Sequence, residues 1–170
     1  MREQLTSLRG IDSVLAVLSE LRSSDMSTEE FSDFLFCDDI IVAKNAAWVL
    51  THTSPEEIAT IEQRKDKLIN LAMTTHDTSL RRLLLTLLER MTFEADSIRT
   101  DFLDFCLDGM QSLSETPGVQ SLCMKLAYKQ CKLYDELLDE LKVTLENMQI
   151  QYYKPAVHYV WRTVLKKKSR

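Results

Sequence analysis

Lys44, Trp48 and His52 stand four residues apart, and three later triplets repeat the spacing: Arg82, Thr86 and Arg90, then Ser121, Lys125 and Lys129, then His158, Arg162 and Lys166. Seven of these twelve residues are Lys or Arg, two are His and none is acidic, although the chain holds 26 Asp and Glu against 21 Lys and Arg. On a helix that turns about 100° per residue, side chains four apart share a face. A face of this composition raises the local concentration of anions and suits a phosphate backbone or an acidic peptide. The candidate binding residues are therefore Lys44, Trp48, Arg82, Arg90, Lys125, Lys129, Arg162 and Lys166. A partner with an acidic surface is expected first and nucleic acid second, because a net charge of −5 argues against a binder of duplex DNA.

No constellation in the sequence points to catalysis. The sequence has no glycine-rich phosphate loop, no G-x-S-x-G and no H-E-x-x-H, and only three glycines. Asp101, Asp104 and Asp108 recur at helical spacing, which suits a solvated helix face. Cys37, Cys106, Cys123 and Cys131 form no C-x-x-C pair, so they are expected as core thiols; together with His52, His76 and His158 they offer no zinc spacing. The expectation is a protein without catalytic residues, metal or cofactor.

The elements that position the cations are helices throughout. "STEE" from Ser27 and "SPEE" from Ser54 are capping boxes, "TPG" from Thr116 pairs a cap with a proline, and Asp77 is the natural cap of its helix. Apolar periodicity predicts helices at about 11–22, 27–37, 39–52, 55–74, 78–91, 95–113, 117–131, 134–149 and 152–167, with 2–9 either an extra turn or the start of the first helix. No alternating β-branched run suggests a sheet. A chain of 170 residues fits one domain. No apolar run approaches the roughly 18 residues of a membrane span, and "MREQLTSLRG" does not read as a signal peptide, so a cytoplasmic protein is expected.

The helices also repeat. Val42, Ala46, Ala47, Val49 and Leu50 align with Leu80, Leu84, Leu85, Leu87 and Leu88. Those align in turn with Val119, Cys123, Met124, Leu126 and Ala127, and then with Ala156, Val160, Trp161, Thr163 and Val164. A helix pair recurring at about this interval is the signature of an α-solenoid, in which each unit buries its apolar face only by stacking on a neighbour. Ala46 and Ala47 would let the neighbouring helix approach closely.

"DDIIVAKNAAWVL" and "DTSLRRLLLTLL" resemble the second helix of a HEAT or HEAT-like armadillo repeat: an acid, an aliphatic, a basic residue at Lys44 or Arg82, then paired small or aliphatic residues. As a whole the chain resembles the small HEAT-like proteins of bacteria. The resemblance implies an all-α, right-handed superhelix of about four helix pairs in one domain over 1–170, with 1–37 as capping helices and 38–170 as repeats. The third unit departs from the pattern with Ser121 where the cation belongs, and the fourth with His158 and Pro155. Second helices line the concave surface of such solenoids, so the resemblance implies a cationic inner groove, with the acids of the first helices (Glu56, Asp66, Asp101, Asp108, Asp135 and Glu140 among them) facing out or at the rim. The expected function is a non-catalytic scaffold or adaptor module whose concave groove binds an acidic protein or peptide segment. The resemblance also leaves an alternative for the cations, because these repeats often pair the Lys44 or Arg82 position with an acid such as Asp39 or Asp77 in an internal ladder. An enzymatic relative, the HEAT-like DNA alkylation-repair glycosylases, shares the fold and the character of this face but has no catalytic acid that matches a residue here.

Two C-terminal features stand apart. Trp161 falls in the core column, and "YYKPAVHYVW" from Tyr152 concentrates aromatics that suit packing or an interface. "KKKSR" from Lys166 is either an extension of the cationic face or a last helical turn that suits the macrodipole.

Overall fold

Capping side chains start the helices where the sequence places them. Ser27 and Ser54 each form a reciprocal capping box, with Glu30 and Glu57. Asp77 accepts from the Leu80 amide, and Thr116 from that of Val119. Asp39 adds a cap by accepting from the Ile41 and Val42 amides. In the computed structural model, which describes residues 1–167, these signals delimit eleven α-helices and no strand. They are α1 (Arg2–Thr6), α2 (Gly10–Ser23), α3 (Thr28–Phe31), α4 (Ile40–Leu50), α5 (Pro55–Ala59), α6 (Lys65–Thr74), α7 (Thr78–Arg90), α8 (Thr100–Gln111), α9 (Pro117–Cys131), α10 (Asp135–Asn147) and α11 (Pro155–Leu165). None of the described helices is long and apolar enough to cross a membrane. Gly10 opens α2 with φ of 82°, a conformation in which a side chain would be strained.

Three helices expected to be continuous are broken, each for a local reason. Within 27–37, the buried Ser32 hydroxyl donates to the Glu29 carbonyl, and the chain tightens into a 3₁₀ segment, Ser32–Phe36. Within 55–74, the Thr60 hydroxyl takes the Glu57 carbonyl and the helix stops at Ala59. It resumes at Lys65 after a 3₁₀ turn that presents Gln63 and Arg64 to Glu29 and Asp33. Within 95–113, Ile98 and Arg99 are extended, and Arg99 donates to the Asp101 carboxylate in the first turn of α8.

The chain forms two compact units, one from Met1 to Met91 and one from Thr92 onward. In the first, α4 packs against α1, α2 and α7, and α7 against α6. Val42, Ala46, Ala47, Val49 and Leu50 are fully buried, as are Leu84, Leu85, Leu87 and Leu88. Burying each large aliphatic side chain contributes about 1.5–3 kcal/mol. The joints are also sealed by polar side chains that satisfy helix-end carbonyls. Arg81 donates to Ala72 and Thr75, and the Asn45 amide donates to Leu5 at 2.6 Å.

In the second unit, α9 is the centre, packing on α8, α10 and α11. Phe93, Phe102 and Phe105 stack in series with centroids 6.3 and 6.2 Å apart. Gly109 lies where α8 meets α9, and a Cβ built on it would stand 2.7 Å from Cys123 Sγ. Tyr153 donates its hydroxyl to the Gln111 carbonyl, and the half-buried Trp161 donates its indole N–H to Leu145, a packing role at the α10–α11 joint. The expected apolar column does not close in α11. Ala156 and Thr163 are exposed, and the buried stripe is Val157, Val160 and Val164. With Pro155 at its start and a stripe of only three valines, α11 is a helix packed on one side.

Candidate functional site

Helices α4 and α7 hold the candidate site. On α4 the buried side includes Val42, Ala46, Val49 and Leu50, which leaves Lys44 and Trp48 half-buried on the opposite side. On α7 the same arithmetic buries Leu80, Leu84, Leu87 and Leu88 and leaves Arg82 exposed. Between the two helices Lys44, Asn45, Trp48, Ser79, Arg82 and Leu83 line an open depression of about 270 Å³. Trp48 and the buried Leu83 give it apolar lining, and Lys44 and Arg82 bring two cations to it.

The two cations differ. Lys44 Nζ lies 3.3 Å from Asp77 Oδ2, with about a third of the lysine side chain and a quarter of the aspartate exposed. Asp77 is held below the usual carboxylate range, first by the Leu80 amide that it caps and then by Lys44. At Lys44 the internal ladder is therefore present. Arg82 is different, because no described residue pairs with its guanidinium. The repeat explains this: the cap one unit after Asp77 is Thr116, a neutral residue, so the pattern offers Arg82 no equivalent acid.

The remaining expected site residues are placed as follows. Arg90 donates to three carbonyls at the end of α4, those of Leu50, Thr51 and Thr53, at 3.4, 3.0 and 2.5 Å. It seals that joint, whereas the sequence placed it on the binding face. The reason is reach: one turn beyond Thr86, the guanidinium meets the Thr51 and Thr53 carbonyls, which the end of a helix leaves without helical partners. Lys129 is half-buried with its ammonium 6.0 Å from the Phe93 ring centroid. Lys125, Arg162 and Lys166 are exposed. Of the terminal run, Lys167 lies 4.5 Å over the Tyr128 ring, while Lys168, Ser169 and Arg170 lie outside the described residues.

Sequence reasoning missed Asn45, Ser79 and Leu83. It followed one column of each helix, and Asn45 and Leu83 lie one position after that column's cations and Ser79 three before. A second depression, about 400 Å³, lies between the 3₁₀ segment and the α6–α7 connection; Leu35, Phe36, Ile40, Leu71 and Leu80 give it an apolar lining, with Asp38 and His76 beside them.

The cysteines are free thiols. Burial, above all, pushes the Cys106 thiol well up and raises that of Cys131 to about 11, so both remain protonated and poorly nucleophilic. No group of His, Cys, Asp and Glu suited to a metal occurs among the described residues.

A family model described as HEAT repeat domain matches residues 1–168. Comparison with curated proteins and comparison with solved structures each returned no match.

Proposed function

This chain belongs to the HEAT repeat domain family, and we propose that it is a non-catalytic interaction module of the cytoplasm whose Lys44, Trp48 and Arg82 face receives an acidic protein or peptide segment. Helical repeats of this kind present extended surfaces that other chains occupy. One observation carries the reading: Arg82 is an exposed cation with no ion-pair partner among the described residues, beside a half-buried tryptophan and an open depression. Arginine and tryptophan are enriched where binding energy concentrates, and a guanidinium takes a carboxylate through two parallel hydrogen bonds. Lys125, Arg162 and Lys166 are exposed in the second unit, and in this reading they are anion contacts of that unit by itself. Four free thiols suit a reducing compartment.

Fluorescence anisotropy of a labelled Asp- and Glu-rich peptide tests it, with single- and double-stranded DNA of the same net charge alongside. The peptide is expected to bind at low salt, to weaken as salt rises, and to lose about tenfold in affinity with Arg82→Glu, about 1.4 kcal/mol. No binding, or binding that ignores Arg82→Glu, overturns the proposal. DNA bound more tightly than the peptide, with a steep salt slope, replaces it with a nucleic-acid role.

A further inference from the structure

We infer that the depression between α4 and α7 is a pocket for one bulky apolar side chain, so that the partner segment carries an aromatic or large aliphatic residue directly beside an acidic one. This rests on the reading of the same face as acid-binding, and it specifies what an acid alone leaves unexplained.

Size is the first argument. At about 270 Å³ the depression holds the equivalent of roughly nine waters at ~30 Å³ each, yet falls below the ~300–1,000 Å³ typical of small-molecule sites. That suits a single side chain presented by a longer segment.

Lining is the second. Leu83 and the half-buried Trp48 give the depression apolar surface, while Lys44 and Arg82 bring the charged groups. A carboxylate driven against Leu83 and the face of the Trp48 indole would lose hydration that those apolar surfaces do not replace. An apolar side chain there releases water from both, and leaves a neighbouring carboxylate level with Arg82. A ring has the better shape, since it can lie offset against the Trp48 indole or edge-on to it.

Charge is the third, and it separates a carboxylate from a phosphate. Lys44 is already bonded to Asp77, so the two cations and this one carboxylate leave a single net positive charge. One carboxylate matches it. A phosphate carrying nearly two negative charges, or a run of phosphodiesters, would exceed it and would meet the Asp77 carboxylate as well.

Three labelled peptides of identical length test the inference on the full chain: one with a central Phe followed by a single Asp, one with that Phe replaced by Ala, and one with that Asp replaced by Asn. Anisotropy is expected to rank the Phe–Asp peptide first, with a loss of about tenfold for each replacement. Trp48→Ala should flatten the preference for Phe over Ala, and Trp48→Phe should keep it. Ser79 is exposed, so Ser79→Tyr fills the pocket without disturbing the core and should remove the same preference even where Trp48→Ala fails to fold. Equal affinity for the Phe and Ala peptides overturns the pocket and leaves the acid-binding role standing. Failure of every Asp peptide overturns both. A single-stranded oligonucleotide that binds more tightly than the Phe–Asp peptide and depends on Trp48 overturns the side-chain pocket in favour of a stacked base.

Discussion

Lys44 and Asp77 join successive repeats: the ammonium on α4 lies 3.3 Å from the carboxylate that caps α7. The same contact that ties two helices together lowers the charge of the candidate site. Asp77→Asn separates the two roles, because asparagine caps as well as aspartate but does not neutralise a lysine. Stability is expected to fall by about 0.5 kcal/mol in denaturant titration. Affinity for an acidic peptide is expected to rise in the same protein, and Lys44→Met to lower it.

Arg82 and Arg90 sit on one face of one helix by sequence, yet they have opposite consequences. Arg90→Met takes their donor from the Thr51 and Thr53 carbonyls at the end of α4 and should cost about 2 kcal/mol. Arg82→Met should stay within about 0.5 kcal/mol of the parent. Urea unfolding midpoints distinguish them, and equal losses would contradict the assignment.

Gly109 and Cys123 predict a coupled pair. Gly109→Ala places a methyl where Cys123 Sγ now lies, and overpacking of this kind costs about 1–3 kcal/mol. Alanine returns up to about 1 kcal/mol through helix propensity. In the Cys123→Ala background the clash is gone, so a double-mutant cycle should give a favourable interaction above about 0.5 kcal/mol. An additive cycle would show that the helices separate freely there.

Acid should unpick the join between α2 and α5. Glu57 is held down to about 2, first by its paired hydrogen bonds from Arg22 at 2.8 Å. A carboxyl whose value is depressed in the folded state stabilises it above the unfolded value and loses that contribution as pH falls through the folded one. The window here runs from about 4.5 down to about 2. Glu57→Gln keeps an acceptor for the Ser54 cap and removes the charge. It should lower the thermal midpoint at pH 7, and the gap to the parent should close across that window.

The capping residues and apolar columns were legible because they act locally. Ser27, Ser54, Asp77 and Thr116 need only their own first turn, and Leu84 or Cys123 needs only helical phase. The breaks at Ser32 and Thr60 were not legible. Each depends on a hydroxyl taking a carbonyl that the helix would otherwise use, a competition that apolar periodicity does not register. Arg82 and Arg90 mark the same boundary within the site. Phase predicts which side of α7 they leave from, but the atoms that meet a long side chain belong to α4, some forty residues earlier. The shift in α11 has a related origin, since three valines hold that helix on one side and Ala156 is left outside.

Side-chain resonances report the central claim most directly. In a ¹H–¹⁵N titration with the Phe–Asp peptide, the Trp48 indole and the Arg82 guanidinium are expected to shift together and saturably. The Trp161 indole, held by the Leu145 carbonyl, should stay in place. Shifts confined to other residues, with Trp48 and Arg82 unmoved at saturation, would contradict a binding face on α4 and α7.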